Sequence, residues 1–290
     1  MTYFDFLLKF LATPLVILLV VRLIDGRQEE PVSGFLSGRV VWLAICLHVF
    51  LALLYTTPWD NYLVATRVWY YNPGLISRII LGWVPIEEYS FFVLETLLAG
   101  LWWWFLMRKI KVTTEFRPRK NTRVISTASL GAVWILSIMV FISGCQPGTY
   151  LSLIVAWALP PITLQLAYGA DILWHNRKLI ALTIIPIFLY ISTADAIAIS
   201  SGIWTINSAR SLGFLIGPLP IEEAVFFLCT TMIIVFGLAL FLADVGRLRW
   251  RIISRNWVDW ILRIYSRISS HTTPPEAQHT ENDNPILPSL

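Results

Sequence analysis

The chain is predicted to be an all-α integral membrane protein of about seven transmembrane helices, arranged as 3+1+3 with two parallel three-helix repeats. Composition gives the first reason. Of 290 residues, 57% are hydrophobic and only 14% charged, and the mean hydropathy is +0.68, a balance far from that of a soluble domain. Apolar runs long enough to cross a bilayer core, about 20 residues, give the second: 3–24, 40–57, 79–107, 124–143, 150–168, 179–200 and 212–243. They are continuous rather than alternating, which selects helices over barrel strands. The first begins at the initiator Met, but it is long and six more follow, so it reads as a span and not a cleaved signal.

A duplication is the third reason. Asp60, Trp69, Asn72, Gly82, Pro85, Ile86, Glu87, Glu88, Phe91 and Phe92 recur as Asp195, Trp204, Asn207, Gly217, Pro220, Ile221, Glu222, Glu223, Phe226 and Phe227, every pair offset by 135 (60 + 135 = 195) without a gap. Tyr3 and Pro14 recur as Tyr150 and Pro161 at an offset of 147 (3 + 147 = 150). Each half is therefore three helices. Two such units joined directly would face opposite ways, but the unpaired fourth run restores the orientation of the second, which makes the repeats parallel about an axis along the membrane normal. The divisions expected are 1–110 for the first repeat, 111–148 for a basic loop plus linker helix, and 149–243 for the second repeat. Residues 244–270 then read as a basic amphipathic interfacial segment carrying Trp250, Trp257 and Trp260, and the Pro-rich 271–290 as a disordered tail.

Lysine and arginine set the expected orientation. With the N-terminus outside and the C-terminus cytoplasmic, eighteen fall on cytoplasmic segments and three, Arg67, Arg78 and Arg210, on outer ones, with Lys9 near the start of the first span. This bias accounts for the pI of 9.0 and removes any reason to invoke nucleic acid. The partner implied is the lipid bilayer. Cys46, Cys145 and Cys229 have no CxxC or Cys/His spacing and read as small core residues. His48 has no counterpart (48 + 135 is Thr183) and reads as packed or hydrogen-bonded. Gly213 and Gly217 form a small-xxx-small spacing on the seventh run.

The repeated acids are the candidate chemistry. Pro-Ile-Glu-Glu suits a helix start, where Pro is tolerated and acids complement the dipole. Yet each copy follows an apolar run, and a carboxyl withdrawn into the membrane must face protein or a cavity. Glu87 and Glu88 lie about 100° apart on a helix, so both can edge one cavity, as can Glu222 and Glu223. Catalytic roles are expected for these four. Phe91, Phe92, Phe226 and Phe227, about one turn on, with Trp69 and Trp204, are candidates to bind substrate and to stabilise a cation through their π faces. Asp60 and Asp195, with Asn72 and Asn207, are supporting candidates read as outer-loop caps and turn residues. Glu95 faces the same way as Glu88 but its counterpart is Thr230. No metal site is expected. None of the fifteen glycines forms a GxG, which leaves no dinucleotide-binding turn for flavin or nicotinamide, and the seventh span has no Lys for a retinal Schiff base.

The doubled PIEE with Phe-Phe, the upstream Asp-x8-Trp-x2-Asn and the basic link with an extra span resemble the lycopene cyclase family of the heterodimeric or fused membrane type. The likeness covers roughly 1–243; this chain carries both halves and no following phytoene synthase domain. The resemblance implies a carotenoid end-group cyclase that uses no cofactor, with lycopene or a related acyclic carotenoid as substrate, β rings as the usual outcome, and other carotenoid-pathway enzymes as candidate partners. Cyclisation needs one protonated carboxyl, one carboxylate and a dry pocket, with no redox change. An ε-cyclase, a related hydratase that lets water capture the cation, and a 3+1+3 transporter are the alternatives.

Overall fold

The computed structural model describes residues 1–25, 35–36, 38–110 and 115–272. Seven helices are long and apolar enough to cross a membrane: α1 (Tyr3–Ile24), α2 (Arg39–Ala65), α3 (Ile86–Lys109), α4 (Lys120–Ile142), α5 (Thr149–His175), α6 (Arg177–Ser200) and α7 (Ile221–Leu242). The chain is thus a multi-pass membrane fold. Position follows from burial: in the most apolar window of each helix, 61% of α3 and 67% of α7 is buried, against 6% of α4. The two Glu-Glu helices form the centre and α4 the periphery, where it packs chiefly on α5 and donates from the Trp134 indole to the Ala156 carbonyl at 3.0 Å.

Short strands connect the helices at the end where the duplicated loops lie. β1 (Trp69–Tyr71) pairs antiparallel with β4 (Trp204–Ile206) in the register Trp69 to Ile206, Tyr70 to Thr205 and Tyr71 to Trp204. Tyr70 and Thr205 are themselves equivalent (70 + 135 = 205), so the ladder folds each repeat onto the other about a local two-fold axis. Further bonds obey the same operation. Asn72 N–H donates to Ile203 O at 2.8 Å and Asn207 N–H to Val68 O at 2.9 Å; Tyr3 N–H reaches Leu75 O at 2.8 Å and Tyr150 N–H reaches Arg210 O at 3.0 Å. At the level of the helices, Thr230 Oγ1 donates to Glu95 Oε1 at 2.9 Å, and those positions are again 135 apart. Equivalent residues that touch must straddle the axis.

Several boundaries differ from the sequence reading. The second apolar run is expected to end at 57, but α2 continues to Ala65 with Pro58, which lacks a backbone donor, inside it. The lost rung is offset by burial of Leu63 on the same helix, and α6 likewise runs through Asp195. Both aspartates are therefore intrahelical and not loop caps. The third and seventh runs were expected from 79 and 212, whereas their first residues form hairpins, β2 (Ile80–Leu81) with β3 (Val84–Pro85), and β5 (Leu215–Ile216) with β6 (Leu219–Pro220). Apolar residues here follow strand pairing, so hydropathy alone extends the helix by a turn or two. Gly213 and Gly217, with φ of +77° and +63°, serve turns and form no helix-packing stripe.

Gly82 turns the first hairpin at φ +72°, and a Cβ there would collide with Asn61 Oδ1, which accepts the Trp83 N–H at 2.7 Å. Gly82→Ala is expected to cost about 2 kcal/mol from the left-handed conformation alone. The check is a lowered thermal midpoint in detergent, with Asn61→Ala in the same background recovering the steric part.

Residues from Leu248 onward form a separate unit. Helix α8 (Asp244–Thr272) enters it, and Trp250, Trp257 and Trp260 are exposed there, the last two with ring centroids 5.4 Å apart. Residues 273–290, and 111–114 of the basic loop, lie outside the described residues. Of the three cysteines expected in the core only Cys229 is buried; Cys46 and Cys145 are exposed, the first on an outward face of α2 and the second in the connection between α4 and α5.

Candidate functional site

Adjacent glutamates part company at the head of each central helix. Glu87, fully buried, turns back to the loop before its hairpin, where its Oε1 accepts the Ser77 N–H at 2.5 Å and its Oε2 the Ser77 hydroxyl at 3.0 Å. Glu222 does the same: Oε1 accepts both the Leu212 N–H at 2.6 Å and the Ser211 hydroxyl at 3.0 Å. The expectation that both members of each pair edge one cavity is thus corrected: the 100° step aims the first acid at otherwise unpaired loop donors and the second at the axis.

Glu88 and Glu223 line a hollow of about 20 Å³ on that axis. The Tyr3 hydroxyl donates to Glu88 Oε2 at 2.6 Å and the Tyr71 hydroxyl to the same oxygen at 3.0 Å; the Tyr150 hydroxyl donates to Glu223 Oε1 at 2.6 Å. Tyr3 and Tyr150 are the pair at offset 147, so the same contact is built twice. Tyr71 has Ile206 as its counterpart, leaving Glu223 one donor fewer. Burial, then the nearby Asp60 and Glu88 carboxyls, raises the Tyr71 phenol well above its ordinary value, so it remains a neutral donor.

Asp60 and Asp195, 1% and 2% exposed, each interact electrostatically with both Glu88 and Glu223. Four carboxyls, two from each half, therefore share one region. Asp195 accepts from the Trp204 indole. The equivalent Trp69 indole nitrogen and both Asp60 oxygens have no hydrogen-bond partner among the described residues, so the two halves differ here as well.

Aromatic rings enclose the hollow. Trp69, Trp204, Phe91, Phe226 and Phe227 line it with Tyr3 and Tyr71. Trp204 lies 5.0 Å from Tyr3 and Trp69 lies 5.6 Å from Tyr150, again by symmetry. Phe91 and Phe227 meet across the halves at 6.0 Å. Phe92 stands apart, against a second cavity. Asn72 and Asn207 do not reach the hollow; their Oδ1 atoms accept the Gly74 and Ala209 N–H groups at 3.0 Å, and Asn207 Nδ2 donates to Arg67 O at 2.9 Å. These close turns that hold the ladder. Among the described residues no group of three or more His, Cys, Asp and Glu side chains is set to hold a metal ion.

Sequence reasoning missed the tyrosines and the Trp59, Trp157 and Phe226 stack, whose centroids lie 4.5 to 5.8 Å apart. The identity of Tyr3 and Tyr150 was the signal for the first. Trp59 corresponds to Ala194, so nothing in the repeat marks it.

This arrangement defines a polytopic membrane protein with an internal carboxyl–aromatic site shared by two halves. The family model described as lycopene cyclase matches residues 7–107 and 147–241. A lycopene beta-cyclase of Halobacterium salinarum is 37% identical over 259 residues, 86% of this chain and 99% of that protein. A bifunctional lycopene cyclase/phytoene synthase of Podospora anserina is 34% identical over 70% of this chain and 36% of its own length, and one of Aspergillus oryzae is 31% identical over 74% and 38%. The chain belongs to the lycopene cyclase family. No solved structure matches it.

Proposed function

We propose that this protein is a lycopene β-cyclase, an intramolecular lyase that closes ionone rings at the ends of lycopene by acid–base catalysis within the membrane. The observation that carries the reading is the set of three carboxyls, Glu88, Glu223 and Asp195, that line one aromatic-walled hollow from both halves, with buried Asp60 near enough to interact with both glutamates. The 37% identity to a lycopene beta-cyclase along almost its full length supports the substrate and the ring type.

A protonated carboxyl delivers its proton to the terminal double bond of the acyclic end, giving a tertiary cation. The neighbouring alkene attacks that centre, the ring bond forms and the positive charge moves to a ring carbon. A carboxylate then removes a ring proton and restores the double bond. One proton enters and one leaves, no electrons are exchanged, and product and substrate are isomers. Glu88 and Glu223 are assigned the proton transfers, because Glu87 and Glu222 are committed to loop donors. The indole and phenyl faces stabilise the cation, and enclosure of the site between the two halves limits the water that can capture it. The tyrosine hydroxyls orient the acids.

The excess of Lys and Arg on alternate loops supports an N-terminus outside and a C-terminus in the cytoplasm. The deciding experiment is pigment analysis of lycopene-accumulating cells that express the chain. The expected product has the mass of lycopene and the chromatographic retention of β-carotene. Uncyclised lycopene in cells containing the inserted protein, or a product heavier by one water, would contradict the reading.

A further inference from the structure

The central hollow, at about 20 Å³, is room for about one water molecule, and a methyl-branched isoprenoid terminus cannot fit there without movement. Beside it lies a cavity of about 260 Å³ that shares Phe226 as a wall. Its lining comes from α2 and α3 of one half and α5 and α7 of the other, and Leu51 and Tyr55, which help form it, are exposed on the outside of the bundle. Glu95 ties it to the acid cluster through its electrostatic interaction with Glu88.

The two-fold axis generates a second, equivalent groove from α6, α7, α1 and α3. The equivalence is visible in one bond: the Tyr55 hydroxyl donates to Trp157 O at 2.8 Å, and the Tyr190 hydroxyl to Phe10 O at 3.0 Å, where 55 + 135 = 190 and 10 + 147 = 157. The side chains beside this bond differ. Ala52 and Thr56 of the first groove correspond to Ile187 and Ile191 of the second, which are 6% and 1% exposed and place larger buried side chains where the first groove has smaller ones.

Resting on the cyclase reading, we propose that the acyclic isoprenoid end of the substrate docks from the bilayer into the α2/α3–α5/α7 cavity and reaches the acids past Phe226, and that the equivalent groove does not serve as an entrance. Several polar side chains in the cavity are tied to the wall, which suits a hydrocarbon occupant: His48 Nδ1–H donates to Ala44 O at 2.7 Å, Gln165 Nε2 to Ile233 O at 2.9 Å, and Thr230 to Glu95. The stack of Trp59, Trp157 and Phe226 lies beside the path and presents π surface to a conjugated chain. Duplication thus supplies two acids but one door.

The test transplants one groove into the other. Ala52→Ile with Thr56→Ile is expected to lower ring formation at least tenfold at equal amounts of inserted protein, with Ala52→Val between, whereas Ile187→Ala with Ile191→Thr stays within about twofold of wild type. Should the filled variant accumulate poorly, Ala52→Cys in a Cys46→Ser/Cys145→Ser background supplies the same answer: active as expressed, and inactivated in membranes by a benzyl maleimide that leaves the background protein active. Full activity in the filled or labelled protein, or loss of activity in the inserted Ile187→Ala/Ile191→Thr chain, overturns the proposal. Absence of rings from the wild type would instead contradict the cyclase reading itself.

Discussion

Glu88→Gln is expected to lower ring formation by roughly a thousandfold, within the range a positioned acid or base supplies, while Glu87→Gln, one residue away, retains most of the activity. The amide keeps the shape of Glu88 and can still accept from the Tyr3 and Tyr71 hydroxyls, which meet a single oxygen, but it cannot exchange a proton with an alkene. At Glu87 the role is to accept from the Ser77 N–H and hydroxyl, and glutamine keeps one acceptor for the buried N–H. Comparable loss in both variants, with both proteins inserted, would mean that the two acids are not divided as their contacts indicate.

The second large effect concerns stability. Glu222→Ala is expected to destabilise the protein by about 3 kcal/mol, because it removes two bonds to one carboxylate oxygen and leaves the Leu212 N–H without its acceptor. Glu222→Gln should be far milder, since a single carbonyl oxygen can take both donors. Thermal unfolding in detergent separates them: the account requires a large drop in midpoint for alanine and a small one for glutamine. Equal midpoints for the alanine variant and the wild type would remove the structural role assigned to the first glutamate of each motif.

Much of this site was legible in the sequence because duplication preserves what symmetry reuses. Glu88 and Glu223, Asp60 and Asp195, Trp69 and Trp204 are identities at one offset, and all six lie at or beside the axis. What could not be read was direction. A helix places Glu87 and Glu88 about 100° apart, but which of them meets loop donors depends on hairpins that hydropathy reads as helix. Asp60 appeared to lie in a loop because the second apolar run reads as ending at 57, and only the packing of α2 carries the helix past it. Trp59 and the Ala52/Ile187 difference were invisible for the opposite reason: they are where the halves diverged, and a repeat reports only what they kept.

A shared hollow and two separate half-sites make different forecasts for one measurement: the initial rate of ring formation by Glu88→Gln, by Glu223→Gln and by the double variant, each at equal inserted protein. If both halves serve one hollow, each single substitution should already bring the rate near that of the double. A residual rate of about half the wild type in each single variant, abolished only in the double, would show two independent sites and contradict the convergence on which the mechanism depends.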